Sequence, residues 1–280
     1  MAGRLFIVAL PIGNLSDITQ RALETLRSVD FILAEDTRTT RQLLSHFEVS
    51  TPFYSSYYQG VETERASEIV GLLHQGKDLA LVSDAGTPLI SDPGFPLVRR
   101  VVEEGFEIHP VPGAVALIAA LVGSGFPTDR FCFEGALPRR RGPRRELFSA
   151  LRTEPRTILA YESPHRLLES LELLAEALPD RRIVLARELT KIHEEYIRGT
   201  AAEVASALVE RGGVRGECVL VIDGASMPAE SLAASRVASL VAALREEGLT
   251  NAAIQRVLTG GLGLPRNRAY AAAHPTAQRD

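Results

Sequence analysis

Three loops in this chain crowd glycine, proline and aspartate where a ligand could be held. They are Pro11-Ile12-Gly13-Asn14-Leu15, Ser83-Asp84-Ala85-Gly86-Thr87-Pro88-Leu89-Ile90-Ser91-Asp92-Pro93-Gly94 and Pro110-Val111-Pro112-Gly113-Ala114. Glycine lets backbone approach a ligand closely. Proline stiffens a loop, and Asp84 and Asp92 can accept hydrogen bonds from hydroxyls or an ammonium. One such loop alone reads as an ordinary turn. Three of them after successive apolar runs point to a binding crevice. A second group suits an anionic partner. Pro138–Arg145 packs five arginines, Arg139, Arg140, Arg141, Arg144 and Arg145, into one stretch. Clustered arginine grips phosphate through a planar, bidentate fork. The competing reading is a solvated loop in an arginine-biased chain. Further on, Tyr161-Glu162-Ser163-Pro164-His165-Arg166 opens a helix. His165 and Arg166 are caps or ligands, and Glu162 is a ligand or the ion-pair partner of Arg166.

A third group could move a proton. Arginine fills all but two of the 31 cationic positions, and the exceptions are Lys77 and Lys191. Lys77 belongs to the turn Gly76-Lys77-Asp78. Lys191 follows Arg187-Glu188-Leu189-Thr190 at the end of an expected core strand. A lysine serves as a base when burial or neighbouring cations lower its pKa. Arg187 would lower it and Glu188 would raise it, so the spacing leaves the direction open. Glu188, Glu162 and His165 are further candidates for the base, whereas His193 reads as a surface residue.

The elements that must carry these groups alternate strand and helix. Apolar runs at Leu5–Leu10, Phe31–Ala34, Leu79–Val82 and Glu107–Val111 are separated by helical patterns at Ile18–Leu26, Thr39–Phe47, Glu64–Gln75 and Leu97–Glu104. Short buried strands between helices predict a mainly parallel sheet covered on both faces. Such sheets gather ligands at the carboxyl ends of their strands, where the three loops fall. After a helix at Val115–Val122 the style repeats with a different rhythm. Strands are expected at Phe131–Glu134, Thr157–Tyr161, Ile183–Arg187, Glu195–Arg198 and Cys218–Ile222. Helices are expected up to Arg152, at His165–Leu178 and at Ala201–Glu210. The boundaries expected are 1–113, 114–225 and 226–280, with Gly224–Pro228 as a linker. The last stretch is rich in Ala and Arg and has helical periodicity at Thr250–Leu258 and Arg266–Ala273.

Composition removes several classes. At 280 residues, 45% hydrophobic and 24% charged, the chain is an ordinary globular one of about two domains. Cys132 and Cys218 exclude a disulfide framework, and no Cys/His cluster has zinc spacing. Leu5–Leu10 is too short for a signal peptide, and Ala114–Gly123 is about half of a membrane span. The expectation is a cytoplasmic protein with no membrane partner. Net charge is −4, so a local arginine cluster stands out against an acidic remainder. There is no Gly-Lys-Ser/Thr phosphate loop, no G-x-G-x-x-G after the first strand and no Gly-x-Ser-x-Gly elbow. A nucleotide hydrolase is therefore disfavoured. Asp84, Asp92, Glu35 and Asp36 have no diagnostic metal spacing, and no metal is expected.

The segments PIGNLSDIT, AEDTR, SDAGTPLISDPG, PTDRFCFEGALPRR, YESPHR and ARELTKIHEEYIRGT, in this order, resemble the tetrapyrrole-methylase superfamily. Within it they are similar to the ribosomal small-subunit RNA methyltransferase I subfamily. The likeness runs from Arg4 to about Asp223, and YESPHR and ARELTK are its most particular parts. The resemblance implies an α/β protein: two α/β domains of the class III methyltransferase type with a small C-terminal helical extension. It implies S-adenosyl-L-methionine as cofactor, held between the domains, and a homodimer. It implies 2′-O-methylation of cytidine 1402 of 16S rRNA in the 30S subunit. Motif by motif, the cofactor residues it implies are Pro11, Gly13, Asp84, Ala85, Gly86, Thr87, Pro112, Gly113 and Tyr161. Catalysis would fall to Lys191 and Glu188. Substrate contacts would come from Arg139, Arg140, Arg141, Arg144, Arg145, Glu162, His165 and Arg166. The likeness breaks at Val115, where the subfamily usually has serine, so no side-chain role is carried there. The rivals are a relative methylating a corrinoid precursor or a protein side chain, and a non-catalytic ribosome-binding factor.

Overall fold

The computed structural model describes residues 2–57, 62–225 and 229–274. Five strands form the first sheet: β1 (Leu5–Val8), β2 (Phe31–Ala34), β3 (Phe53–Ser56), β4 (Leu79–Val82) and β5 (Ile108–Val111). Their order is β3-β2-β4-β1-β5, and every pair is parallel. The unbroken apolar runs follow from burial on both faces. In β4, Leu79 and Leu81 pack on one face with Leu97 and Val101 of α4 (Phe95–Glu103) and with Ile69 and Leu73 of α3 (Glu62–His74). Ala80 and Val82 pack on the other face, with Ala22 and Leu26 of α1 (Gln20–Ser28) and Leu44 of α2 (Thr37–His46). The neighbouring strands β1 and β4 thus send their chains to opposite faces, and the gap between their carboxyl ends is the crevice such sheets use. Strand β3 is not among the elements expected from the sequence. It is a short edge strand directly after Pro52, with too few apolar residues to announce itself.

The second sheet holds β6 (Phe131–Ala136), β7 (Thr157–Glu162), β8 (Arg182–Arg187), β9 (Glu195–Thr200) and β10 (Cys218–Ile222), in the order β6-β7-β10-β8-β9. Unlike the first sheet, this one is mostly antiparallel. Only β6 and β7 run parallel, while β10 is antiparallel to both β7 and β8, and β8 to β9. The cause lies in the connections. Residues 188–194 join β8 to β9 with no helix, too short a link for a parallel crossover. As a result the ends of β7 and β8 and the start of β10 meet at one edge, with Cys218 opposite both Glu162 and Arg187.

Helix α5 (Ala116–Ser124) covers one face of this sheet through Leu117, Ala120 and Leu121, and Ile12 from the loop after β1 joins the same core. The other face is covered by α6 (Arg141–Ala150), α7 (Leu167–Ala177) and α8 (Ala201–Glu210). Thr200 starts α8 with a reciprocal capping box to Glu203. The arginine stretch Pro138–Arg145 is largely not a loop: β6 ends at Ala136 and α6 begins at Arg141.

The chain divides into two compact units, 1–224 and 225–280. The second is helical: α9 (Ala229–Glu246), α10 (Asn251–Arg256) and α11 (Arg266–Ala273) close over Val241, Ile254, Leu258, Ala269 and Ala273. Of the expected linker, residues 226–228 lie outside the described residues.

Candidate active site

The loop after β4 is tied to the chain on three sides. Leu10 N–H donates to Gly86 O at 2.8 Å, and Gly86 N–H donates to Leu10 O at 3.1 Å. Thr87 Oγ1 donates to Ala114 O at 3.1 Å, and the Asp84 carboxylate accepts from Asp36 N–H at 3.1 Å. Gly86 has φ +74°, and a Cβ there would stand 3.2 Å from Ile12 Cγ2. The three Gly/Pro loops are thereby locked to one another, by backbone pairing of Leu10 with Gly86 and by the Thr87 hydroxyl. Between them and the edge of the second sheet opens a cavity of about 560 Å³. That volume suits a small organic ligand.

From the first sheet's side the cavity is lined by Ile12, Asp84–Thr87, Ile90, Ser91, Asp92, Val115 and Ala116. From the second come Tyr161–Pro164, Glu188, Lys191 and Gly216–Val219. Asp92 and Tyr161 respond to this setting. Burial pushes the Asp92 carboxyl up, a hydrogen bond from Ser83 opposes it, and the charge of Asp84 adds to the rise. Burial also raises the Tyr161 phenol, which meets Phe133 edge-on with centroids 5.1 Å apart.

The Lys191 ammonium donates to Glu188 Oε1 at 2.9 Å and to Glu217 Oε2 at 3.2 Å. Burial alone would lower its pKa, but these two carboxylates prevail and hold it above the ordinary lysine value. The direction that the sequence left open is therefore upward, and Lys191 is an ammonium at neutral pH. The hydrogen bond from Lys191 keeps Glu188 below the usual carboxylate range. Lys191 has a seat: a Cβ on Gly13 would lie 2.5 Å from Lys191 Cγ. Gly13 does not line the cavity, but it makes room for the side chain that does.

Backbone strain gathers here. Among the described residues, five non-glycine residues have positive φ. Four of them, Leu89, Ser91, Glu188 and Thr190, belong to the two loops that face each other across the cavity. Such conformations cost about 1–3 kcal/mol each and persist where the surroundings over-determine them.

Several expected ligands lie elsewhere. Arg144 cannot reach a phosphate: it is fully buried, donating to Ser170 Oγ at 2.6 Å, Glu169 Oε2 at 2.5 Å and Glu162 Oε2 at 3.2 Å. Glu162 is no free ligand either. Its buried carboxylate also pairs with Arg166 Nη2 at 2.6 Å and accepts from Ser163 N–H at 2.6 Å. Arg166 is thus an internal partner of Glu162. Arg141 and Arg145, on the first turns of α6, pair with Glu169 and Glu176. Arg139 and Arg140 are exposed. His165 is exposed and outside the cavity lining. Pro11 is buried behind that lining, and Pro112 and Gly113 are not part of it. Gly113 needs its small size for packing, since a Cβ would come within 2.8 Å of Ala9 Cβ. Ser91, Glu217 and Cys218 line the cavity but were not among the expected site residues. Glu217 and Cys218 had no signal in the sequence, because only an antiparallel β10 brings its first residues to this edge. Among the described residues no group of three His, Cys, Asp or Glu side chains is placed to hold a metal ion.

Five carboxyl groups and one ammonium line the cavity; Glu162 is paired with Arg144 and Arg166, which leaves Asp84, Asp92, Glu188 and Glu217 with Lys191, and the apolar wall comes from Ile12, Ile90, Val115 and Val219. This donor set fits a small cationic ligand with an apolar part. The comparisons agree with the fold that builds it. The family model for Tetrapyrrole (Corrin/Porphyrin) Methylases matches residues 4–205. A protein of Synechocystis sp. (strain PCC 6803), named Ribosomal RNA small subunit methyltransferase I, is 46% identical over 270 residues, 96% of each chain. Among solved structures, a diphthine synthase aligns with TM-score 0.62 at 15% identity, over 79% of this chain and 90% of its own. A uroporphyrin-III C-methyl transferase from Thermus thermophilus, complexed with S-adenyl homocysteine, aligns with TM-score 0.52 at 18% identity, over 79% and 97%. By the extent of the family match and by this identity, the chain belongs to the tetrapyrrole (corrin/porphyrin) methylases.

Proposed function

We propose that this protein is an S-adenosylmethionine-dependent methyltransferase of small-subunit ribosomal RNA, acting on the 2′-hydroxyl of cytidine 1402 in the 30S particle. The observation that carries this reading is the 46% identity, across nearly the whole chain, to a protein named for that substrate class. The acidic cavity supports the cofactor. Asp84, with the backbone of Ala85–Thr87, would hold its cationic groups, and Ile12 and Val219 would meet its apolar surface. When bound, the cofactor supplies a methyl group already activated on a sulfonium.

The protein's part is then to position the ribose, exclude water and receive a proton. The ribose oxygen must lose its proton as it attacks. Lys191, held as an ammonium, cannot accept it. Its role is to stabilise negative charge developing on that oxygen, while Glu188 and Glu217 orient it. Asp92 is the proton acceptor in this reading. It lines the same cavity, and its raised pKa brings it closer to the working pH than an ordinary carboxylate. The reading includes action in the cytoplasm and as a homodimer. Exposed Ile118 and Val122 on α5 offer apolar surface that a second copy would cover. Among the described residues no helix is long and apolar enough to cross a membrane. The test is to incubate the protein with labelled S-adenosylmethionine and 30S particles lacking the modification, then map the labelled nucleotide. Label at the 2′-oxygen of one cytidine is expected. Label on protein, or none, overturns the reading.

A further inference from the structure

Beside the acidic cavity lies another of about 590 Å³ with the opposite character. The two share Glu188 as a wall, and consecutive residues join them: Arg215 lines the second and Gly216 the first. The second is framed by three guanidinium groups, Arg187, Arg211 and Arg215. The first two are held in place. Glu195 on β9 accepts from Arg187 Nε at 3.1 Å and also pairs with Arg211. One carboxylate thus clamps two guanidiniums. Arg187 Nη1 donates to the backbone carbonyl of Arg215 at 3.1 Å, which pins the loop carrying the third. Arg215 is exposed, and no ion pair engages its side chain among the described residues. With Glu188 turned to Lys191, the second cavity keeps an excess of positive charge.

A 2′-hydroxyl inside an RNA strand has its own 3′-phosphate as a near neighbour. Any site that presents that hydroxyl to a methyl donor must seat the phosphate close by. The acidic cavity repels it, because Asp84, Asp92, Glu188 and Glu217 are all there. Guanidinium groups attract it and match it with paired donors. Resting on the proposed methyl transfer to RNA, we infer that the second cavity seats the backbone phosphate next to the methylated ribose, with Arg211 and Arg215 as its ligands and Glu195 as the clamp of Arg211. The cationic cofactor and the anionic strand are thereby sorted into two adjoining cavities of opposite sign, divided by Glu188.

The test compares the full chain with an Arg211→Ala/Arg215→Ala double variant. Three quantities are read: KM for 30S particles lacking the modification, the salt dependence of binding to them, and S-adenosylhomocysteine affinity by calorimetry. The double variant should raise KM at least about tenfold, as expected for loss of charge-assisted hydrogen bonds. Loss of both ligands of that one phosphate should make the log–log salt slope shallower by about 0.7 for a single strand. S-adenosylhomocysteine affinity should stay at the wild-type value. Arg211→Lys/Arg215→Lys should restore the salt slope but not the full affinity, since lysine carries the charge without the fork. If the double alanine variant loses S-adenosylhomocysteine binding, Arg215→Ala alone, which breaks no ion pair, replaces it with half the expected slope change. Unchanged KM and slope with S-adenosylhomocysteine binding intact overturns the inference and leaves the methyl-transfer reading standing. No methyl transfer by the unaltered chain overturns that reading, and the inference falls with it.

Discussion

Lys191 and Asp92 exchange the roles that their residue types suggest. A lone lysine at a strand end reads as a base, but two carboxylates fix it as a cation. Lys191→Arg keeps the charge, so turnover on 30S particles should stay within about tenfold of wild type. Lys191→Met removes it and should lower kcat by roughly 10²–10³, the range seen when one donor to a developing oxyanion is lost. Steady-state kinetics with both variants decides this, and a Lys191→Arg enzyme as dead as Lys191→Met would return Lys191 to the role of base. Asp92 predicts a pH dependence. A base must be ionised to act, so kcat/KM should rise with pH through the Asp92 pKa. Burial lifts that limb above the ordinary carboxylate value of about 3.9. Asp92→Asn should lose the limb together with most of kcat. A limb that survives the substitution belongs to another group.

At the scale of elements, the second half is held together by a buried ion network. Arg144 at the start of α6 reaches Glu162 at the end of β7 and Ser170 and Glu169 on α7. It joins three elements and stands behind the residues Tyr161–Pro164 that line the cavity. Arg144 and Glu162 are both fully buried at the side chain. Removing Arg144 leaves buried Glu162 with Arg166 as its remaining ion partner and breaks a buried pair, a change that costs up to about 3–5 kcal/mol. Arg144→Met should therefore lower the urea midpoint strongly with its slope unchanged, whereas Arg139→Ala and Arg140→Ala should barely move it. The difference between neighbouring arginines is legible only once α6 exists. On a helix starting at Arg141, Arg144 turns inward beside Phe148, while on a loop all five arginines look alike. Equal midpoints for Arg144→Met and Arg139→Ala would contradict the network's role.

At the scale of the molecule, unit 1–224 contains both sheets and the whole cavity, and unit 225–280 has a core of its own. A chain ending at Pro228 should therefore fold and bind S-adenosylhomocysteine as tightly as the full protein. We expect it to lose activity on 30S particles, because the helical unit carries Arg256, Arg266 and Arg268 and we assign it to substrate docking. Calorimetry and turnover on the same preparation check both halves of this expectation. Loss of cofactor binding in the truncated chain would make the tail part of the catalytic unit, and loss of a soluble dimer would make it a packing element.

Local pattern decided much of this protein. Apolar run length set β2, β4 and β10 residue for residue, helical period set α8 and α11, and the Gly/Pro loops after β1 and β4 marked most of the first sheet's half of the cavity. These are properties of a few consecutive residues, so they survive in one dimension. Tertiary structure decided what depends on partners distant in the chain. The antiparallel return of β10 brings Glu217 to Lys191 and Cys218 opposite Glu162. Glu188 and this Glu217 together raise the lysine pKa that spacing alone left open. The inward turn of Arg144 converts an apparent phosphate ligand into a structural ion. Charge and hydrogen bonding act through space over a few ångströms, and partners such as Glu217 for Lys191 and Glu169 for Arg144 lie about 25 residues away along the chain.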